Sequence, residues 1–349
     1  MKVVKRFLLY FCASSIVFGS LIAVGCWYFY QNYLDTPLKL DERVFILNVP
    51  KNSSLSAVTR DLGQDGYLPY PKLLMLYAKL EDTQSIQVGE YELFEEDTPR
   101  TLLSKLHGGE VVSYRTSLIE GWTTQQMLDH LRSDSRLKDD IGDINIEDLP
   151  AILNIDIDHP EGWFYPDTYI YARGLPITAL LLQAHERMQD VLHEEWIQRG
   201  FGLPYETPYE ALIMASIVEK ETGAAYERAQ IAGVFIRRLQ QGMRLQTDPT
   251  IIYGLGDEYQ GNLTRAHLRQ LTPYNTYMIN GLTPTPIANP GRDAIRAALN
   301  PEGGSALYFV ARGDGSHQFS DTLDEHNTAV RQFQIEQRVE NYQSAPNSQ

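Results

Sequence analysis

The stretch ALIMASIVEKETG, residues 211–223, runs apolar for eight residues' worth of helix and then turns abruptly acidic at Glu219 and Glu221. A helix apolar on nearly every face is one that a domain is built around, because each face needs a covering neighbour. At about 100° per residue, Glu219 shares a face with Leu212, Ala215 and Ser216, while Glu221 leaves the helix about 200° away, beside Met214 and Val218. Carboxylates placed so unevenly cannot easily act on one bond from opposite sides. Ala215 and Ser216 leave space beside Glu219 for a substrate. A carboxyl at the mouth of a buried helix is partly desolvated, which raises its pKa and keeps a proton for general-acid work. The blander alternative is that both acids are the solvated end of a core helix.

The segments around this helix predict a large, mostly helical body. Helical periodicity covers 146–154, 176–199, 207–222 and 225–241, with Gly242 as the residue that stops the last of these. From 243 to 316 the chain is rich in Pro, Gly, Asn and Thr, which predicts long ordered loops rather than regular elements. ALYFVA, 306–311, reads as a short buried strand. Upstream, a β-rich segment, a turn and a short amphipathic helix recur three times: VFILNVPKNSSLSAVTRDL (44–62), YELFEEDTPRTLLSKL (91–106) and YRTSLIEGWTTQQMLDHL (114–131). Ser53 or Ser54, then Thr98 followed by Pro99, then Thr123 or Thr124 supply the helix caps.

At the N-terminus, Phe7–Tyr30 carries no Asp, Glu, Lys or Arg. About 20 such residues span the ~30 Å hydrocarbon layer. Lys2, Lys5 and Arg6 precede the run, so the positive-inside rule keeps this head in the cytoplasm and exports the body. The run is longer than the roughly 7–15 apolar residues of a cleaved signal peptide and ends in Trp27, Tyr28 and Tyr30, which predicts an uncleaved anchor. The body beyond it holds all 45 acids against the remaining 27 of the 30 bases. Such a surface repels nucleic acid. Cys12 and Cys26, the two cysteines, both lie in the run, so the body has neither disulfides nor a cysteine metal site. Its ~320 residues exceed what one core usually supports.

Chemistry-bearing loops follow the central helix: RLQTDPTIIYGLG (244–256), LTPYNTYMINGLTPTPIANPG (271–291) and HQFSDTLDEHN (317–327), with EGWFYPDTY (161–169) ahead of it. Gln, Asn, Thr and Tyr in Pro-braced loops suit sugars, whose hydroxyls need neutral donors and acceptors and whose rings need flat faces. Turn building is the plainer use of the same residues. No nucleophile elbow, zinc-helix motif, P-loop or dinucleotide fingerprint is present. His317 and His326 stand among acids but lack a recognised ligand spacing, so no metal is expected, and no cofactor.

In their order, EGWFYPDTY, ASIVEKET, LQTDPT, PYNTY, GLTPTPIANPG and HQFSDTLDEHN closely resemble the YceG-like endolytic murein transglycosylase family. The resemblance runs from the N-terminal anchor to about residue 335. Departures are slight: Trp163 and Tyr165 replace common Phe or Leu, and Thr272 a frequent Ser. The resemblance implies an α+β chain made of a cytoplasmic head (1–6), a transmembrane helix (7–30), a linker (31–42), a small LysM-like βα module (43–114), a larger mixed α/β catalytic domain (115–335) and a flexible tail (336–349). It implies a single-pass protein of the cell inner membrane with a periplasmic body. Its expected partners are peptidoglycan strands and peptidoglycan synthases.

The implied reaction is cleavage of the MurNAc–GlcNAc β-1,4 bond without water. The first Glu of ASIVEKET, Glu219, is implied as the catalytic acid, with Gln246, Thr247, Asp248, Tyr274, Asn275, Thr276 and Glu161 as substrate-binding residues. Gln246, Asp248, Tyr274, Asn275 and Thr276 are expected to converge on Glu219. An inverting hydrolase needs a second carboxylate at ~6.5–9.5 Å and a retaining one at ~5–5.5 Å; attack by the sugar's own C6 hydroxyl needs neither. Glu161 or Asp248 is left as the group that polarises the site. The alternative from another class is a non-catalytic glycan-binding scaffold for cell-wall synthases, and a hydrolase of another exported polysaccharide is a third.

Overall fold

A computed structural model describes residues 2–336, apart from the side chains of residues 2–9, 12 and 13. The expected tail, 336–349, lies outside the described residues but for Glu336. The chain forms two compact units, one of Met1–Tyr114 with Ile170–Gly174, the other of Arg115–Tyr169 with Leu175–Gln349.

The first unit begins with helix α1 (Lys2–Leu34). Among the described residues no helix is long and apolar enough to cross a membrane. The expected span Phe7–Tyr30 includes residues 7–9, 12 and 13, whose side chains lie outside the described residues. After α1 come β1 (Val44–Val49), α2 (Leu55–Gln64), α3 (Pro71–Leu80), β2 (Gly89–Phe94) and α4 (Pro99–Gly108). β1 and β2 pair antiparallel, Val44 opposite Phe94 and Val49 opposite Gly89. Of the two candidate caps, Ser54 is the one that accepts from Ala57 N. Thr98 and Thr101 form a capping box that opens α4 with Pro99 in its first turn. The apolar stripes Leu55, Val58, Leu62 and Leu102, Leu103, Leu106 are buried together with Leu74, Tyr91 and Leu93 in one core.

The second unit contains α5 (Thr124–Ser133), α6 (Leu149–Leu153), α7 (Ile177–Ile197), α8 (Pro208–Glu221), α9 (Arg228–Gln240), α10 (Asp248–Leu255), α11 (Arg265–Arg269), α12 (Arg292–Leu299), the strands β5 (Tyr308–Ala311) and β6 (His317–Ser320), and α13 (Leu323–Val330). β3 (Ser113–Ser117) and β4 (Thr168–Ala172) form a further two-stranded sheet. Thr123, not Thr124, caps α5, through a box with Gln126. α8 is the central helix: Ala211 to Val218 are all buried, and α7, α9, α10 and α12 pack around it. Thr207 and Glu210 close its N-terminus with a capping box, with Pro208 in the first turn.

Two expectations need correcting. The stretch 243–316 holds α10, α11 and α12, not loops alone. α12, RDAIRAAL, buries Ala294, Ile295, Ala297, Ala298 and Leu299, and its three alanines let it pack on α8, a face that turn residues on either side concealed. ALYFVA is half-buried rather than buried, because β5 pairs only with β6, Tyr308 opposite Ser320 and Ala311 opposite His317, leaving its other edge free of a strand.

Candidate active site

The last turn of α8 delivers Glu219 and Glu221 to different surroundings. Glu219 is sealed, its side chain 6% exposed. Its Oε1 accepts from Arg228 Nη2 at 3.2 Å and its Oε2 from the backbone N–H of Gly291 at 3.0 Å. Arg228 also lies 3.5 Å from Asp293 and 3.7 Å from Glu120. Burial raises the Glu219 carboxyl, while the guanidinium of Arg228 and the Gly291 N–H oppose that rise. The space expected beside it is filled. Ser216 is fully buried, donates to Ile213 O and accepts from Ile287 N at 3.0 Å, so the small residues admit a neighbouring loop rather than a substrate.

Glu221 meets a different set of neighbours. Thr247 Oγ1 donates a short hydrogen bond to its Oε1, and its Oε2 has no hydrogen-bond partner among the described residues. Burial pushes this carboxyl up to about 7, with Asp248 adding to the rise and Thr247 opposing it. It lines a cavity of about 730 Å³ together with Arg238, Gln246, Asp248, Tyr277, Tyr308, His317 and His326. That volume is within the range of small-molecule sites. The guanidinium of Arg238 donates to the carbonyls of Leu307 and Leu245, each at 2.7 Å, which holds it in the cavity wall.

Of the loops expected at Glu219, the one carrying Gln246, Thr247 and Asp248 meets Glu221. None of Gln246, Asp248, Tyr274, Asn275 and Thr276 makes a hydrogen bond or ion pair with Glu219 among the described residues. Thr247 and Thr276 are buried, and Thr276 Oγ1 accepts from Thr247 N at 3.0 Å and meets Thr250 Oγ1 at 2.9 Å, fixing the turn that aims Thr247 at Glu221. Gln246 sits at φ +52°, a left-handed conformation that non-glycine residues adopt at a cost of order 1–3 kcal/mol. Its backbone N–H holds Thr276 O, and its side chain stays exposed at the cavity. Asp248 accepts from Tyr277 OH at 2.7 Å.

The other expected residues serve the frame. Asn275 is buried and clamps its loop, donating to His267 O and Gln270 O and accepting from Tyr277 N. Tyr274 OH meets Thr285 Oγ1 at 2.8 Å, its ring edge-on to Tyr253. Glu161 is 4% exposed. Its Oε1 accepts from Thr124 N, Thr124 Oγ1 and Asn289 Nδ2, and its Oε2 from Tyr253 OH. These four hydrogen bonds join the starts of α5 and the 289 loop to α10.

Glu161 has a measurable consequence. Burial pushes its carboxyl up to about 7, whereas the unfolded chain titrates near the ordinary carboxylate value. Between those values the folded chain binds more protons, so stability falls as pH rises through that window, by about 3 kcal/mol in all. Glu161→Gln is expected to flatten that fall. Thermal unfolding from pH 4.5 to 8 checks it, and an unchanged slope counts against a protonated Glu161.

Comparison with known proteins places the whole chain. The YceG-like family profile matches residues 47–332. A Bacillus subtilis (strain 168) protein called endolytic murein transglycosylase is 30% identical over 335 residues, 89% of this chain and 91% of that protein. A protein of the same name from Streptococcus pneumoniae (strain ATCC BAA-255 / R6) is 26% identical over 92% of this chain, which spans 64% of that relative's length. The crystal structure of a yceG-like protein from Listeria monocytogenes matches with a TM-score of 0.51 and 29% identity, covering 82% of this chain and 99% of that one. The match takes in the two acids of α8, the loops around Glu221 and the β5–β6 wall alike: the chain belongs to the YceG-like family.

Proposed function

We propose that the protein is a membrane-anchored endolytic lytic transglycosylase that cleaves the MurNAc–GlcNAc β-1,4 bond inside peptidoglycan strands and closes a 1,6-anhydro ring on the MurNAc side. The observation that carries this reading is Glu221, a carboxyl whose pKa is lifted to about 7 and whose Oε2 is unpartnered at a sugar-sized cavity. The names of the relatives support the substrate. In this reading Glu221, not Glu219, is the proton donor. Its proton passes to the bridging oxygen, the C1–O bond breaks, and the C6 hydroxyl of the same sugar closes on C1. Glu219, held by Arg228 and Gly291, fixes the end of α8 so that Glu221 keeps its place.

The anchor belongs to the same proposal. It is supported by the uncharged run and by the exposed surface of α1, where Ile16, Phe18, Leu21, Val24, Trp27 and Tyr28 are each more than half exposed. The βααβ arrangement of the first unit provides a second place for glycan, in keeping with its LysM-like reading. Cleavage beside the membrane would end a growing strand, which makes peptidoglycan synthases the expected neighbours. The test is mass spectrometry of uncrosslinked glycan strands after incubation with the full chain. Anhydro ends are expected. Reducing ends alone would make the protein a hydrolase, and binding without cleavage would make it a scaffold.

A further inference from the structure

The cavity that Glu221 lines has His317 in its wall, half of a second titratable pair that the steps above leave unused. Glu227, at the start of α9, and His317, the first residue of β6, are ninety positions apart in sequence and joined twice. The His317 backbone N–H donates to Glu227 Oε1 at 3.0 Å, and Nδ1 of its ring meets Glu227 Oε2 at 2.7 Å. Phe309 stands edge-on to the imidazole at 5.4 Å. Both side chains are nearly sealed, the ring 4% exposed and the carboxyl 6%.

Such a carboxylate against one ring nitrogen sets the tautomer: Nδ1 carries the proton and Nε2 keeps its lone pair. Nε2 has no partner among the described residues, and His317 lines the cavity that Glu221 also lines. A residue serving only to brace the fold has no need of an imidazole fixed by a carboxylate and a ring with its basic nitrogen left over. Carboxylate, oriented imidazole and cavity together make up the arrangement that elsewhere takes a proton from a hydroxyl.

We infer that His317 is a further catalytic residue, the base that takes the proton of the MurNAc C6 hydroxyl, and that Glu227 is its positioning residue. The inference rests on the transglycosylase reading above. The bookkeeping is complete without water or any co-reactant. Glu221 gives its proton to the leaving oxygen as the C1–O bond breaks. The C6 oxygen bonds to C1, and its proton moves to His317 Nε2, leaving an imidazolium beside the Glu227 carboxylate. Return of that proton to the Glu221 carboxylate, through solvent once the product has left, restores both groups. Dividing acid from base in this way relieves Glu221 of both tasks within one turnover.

The test follows the ends made from uncrosslinked glycan strands by the full-length wild type, His317→Gln and Glu227→Gln, with circular dichroism to confirm each fold. His317→Gln is expected to yield about 10²-fold fewer anhydro ends, and the share of reducing ends should rise as water captures C1 in place of the undeprotonated hydroxyl. Glu227→Gln should move the share in the same direction by less. An equal fall in both kinds of end, with their ratio unchanged, would make the pair structural and overturn the inference, as would unchanged anhydro yield. A wild type that makes no anhydro ends overturns the transglycosylase reading itself, and this inference with it.

Discussion

Glu221→Gln is expected to lower cleavage of glycan strands by about 10²–10⁴-fold, the usual worth of a positioned general acid, with the fold intact. Gln keeps the size of the side chain, and its carbonyl oxygen still accepts from Thr247 Oγ1. It has no acidic proton to give the leaving oxygen. Glu219→Gln tests the alternative directly. Its amide oxygen still accepts from Gly291 N, but Arg228 loses the carboxylate at 3.2 Å. A lowered stability of about 1–3 kcal/mol is the expected cost, with far more residual cleavage than Glu221→Gln leaves. Rates of anhydro-end formation and thermal unfolding for both variants decide it. A folded but dead Glu219→Gln chain beside an active Glu221→Gln chain would return the acid to Glu219.

The second large effect is on pH. A carboxyl pushed up to about 7 is protonated below that value and ionised above it, and only the protonated form can act as the acid. Cleavage should fall about tenfold per unit above pH 7, roughly a hundredfold by pH 9. Thr247→Val removes the hydroxyl that favours the charged form, so the falling limb should move to higher pH even as the rate at its plateau drops. A limb that stays in place in Thr247→Val, or one centred near the ordinary carboxylate value, would detach the profile from Glu221.

Periodicity made the central helix and its burial legible, because eight consecutive buried residues leave few other readings of ALIMASIV. Cap chemistry likewise marked where α4 and α5 begin. The division of labour between Glu219 and Glu221 was not legible. A helical wheel shows that the two acids part company but not which neighbour each one meets, and those neighbours come from far along the chain: Arg228 and Gly291 for one, Thr247 for the other. The resemblance pointed to the first of two acids two positions apart, whereas the reading proposed above gives the proton to the second. Glu161 misled for the opposite reason. Its motif reads as a polar loop, and only the folded chain shows four donors from three distant segments filling its carboxylate. The Glu227–His317 pair had one clue in sequence, a histidine opening HQFSDTLDEHN, but a partner ninety residues earlier is beyond any local pattern.

The hairpin β5–β6 gives the protein a form of timing. Half of the cavity wall, including Tyr308, Phe309 and His317, lies in the final stretch of the described chain, while the acids of α8 come about a hundred residues earlier. A chain made N-terminus first therefore has its acids well before it has a site, since contacts of such long sequence separation form late. Arg238 waits for Leu307 and Glu227 for His317. Until the hairpin arrives the cavity lacks half its wall, and a chain broken off short of residue 308 never completes it.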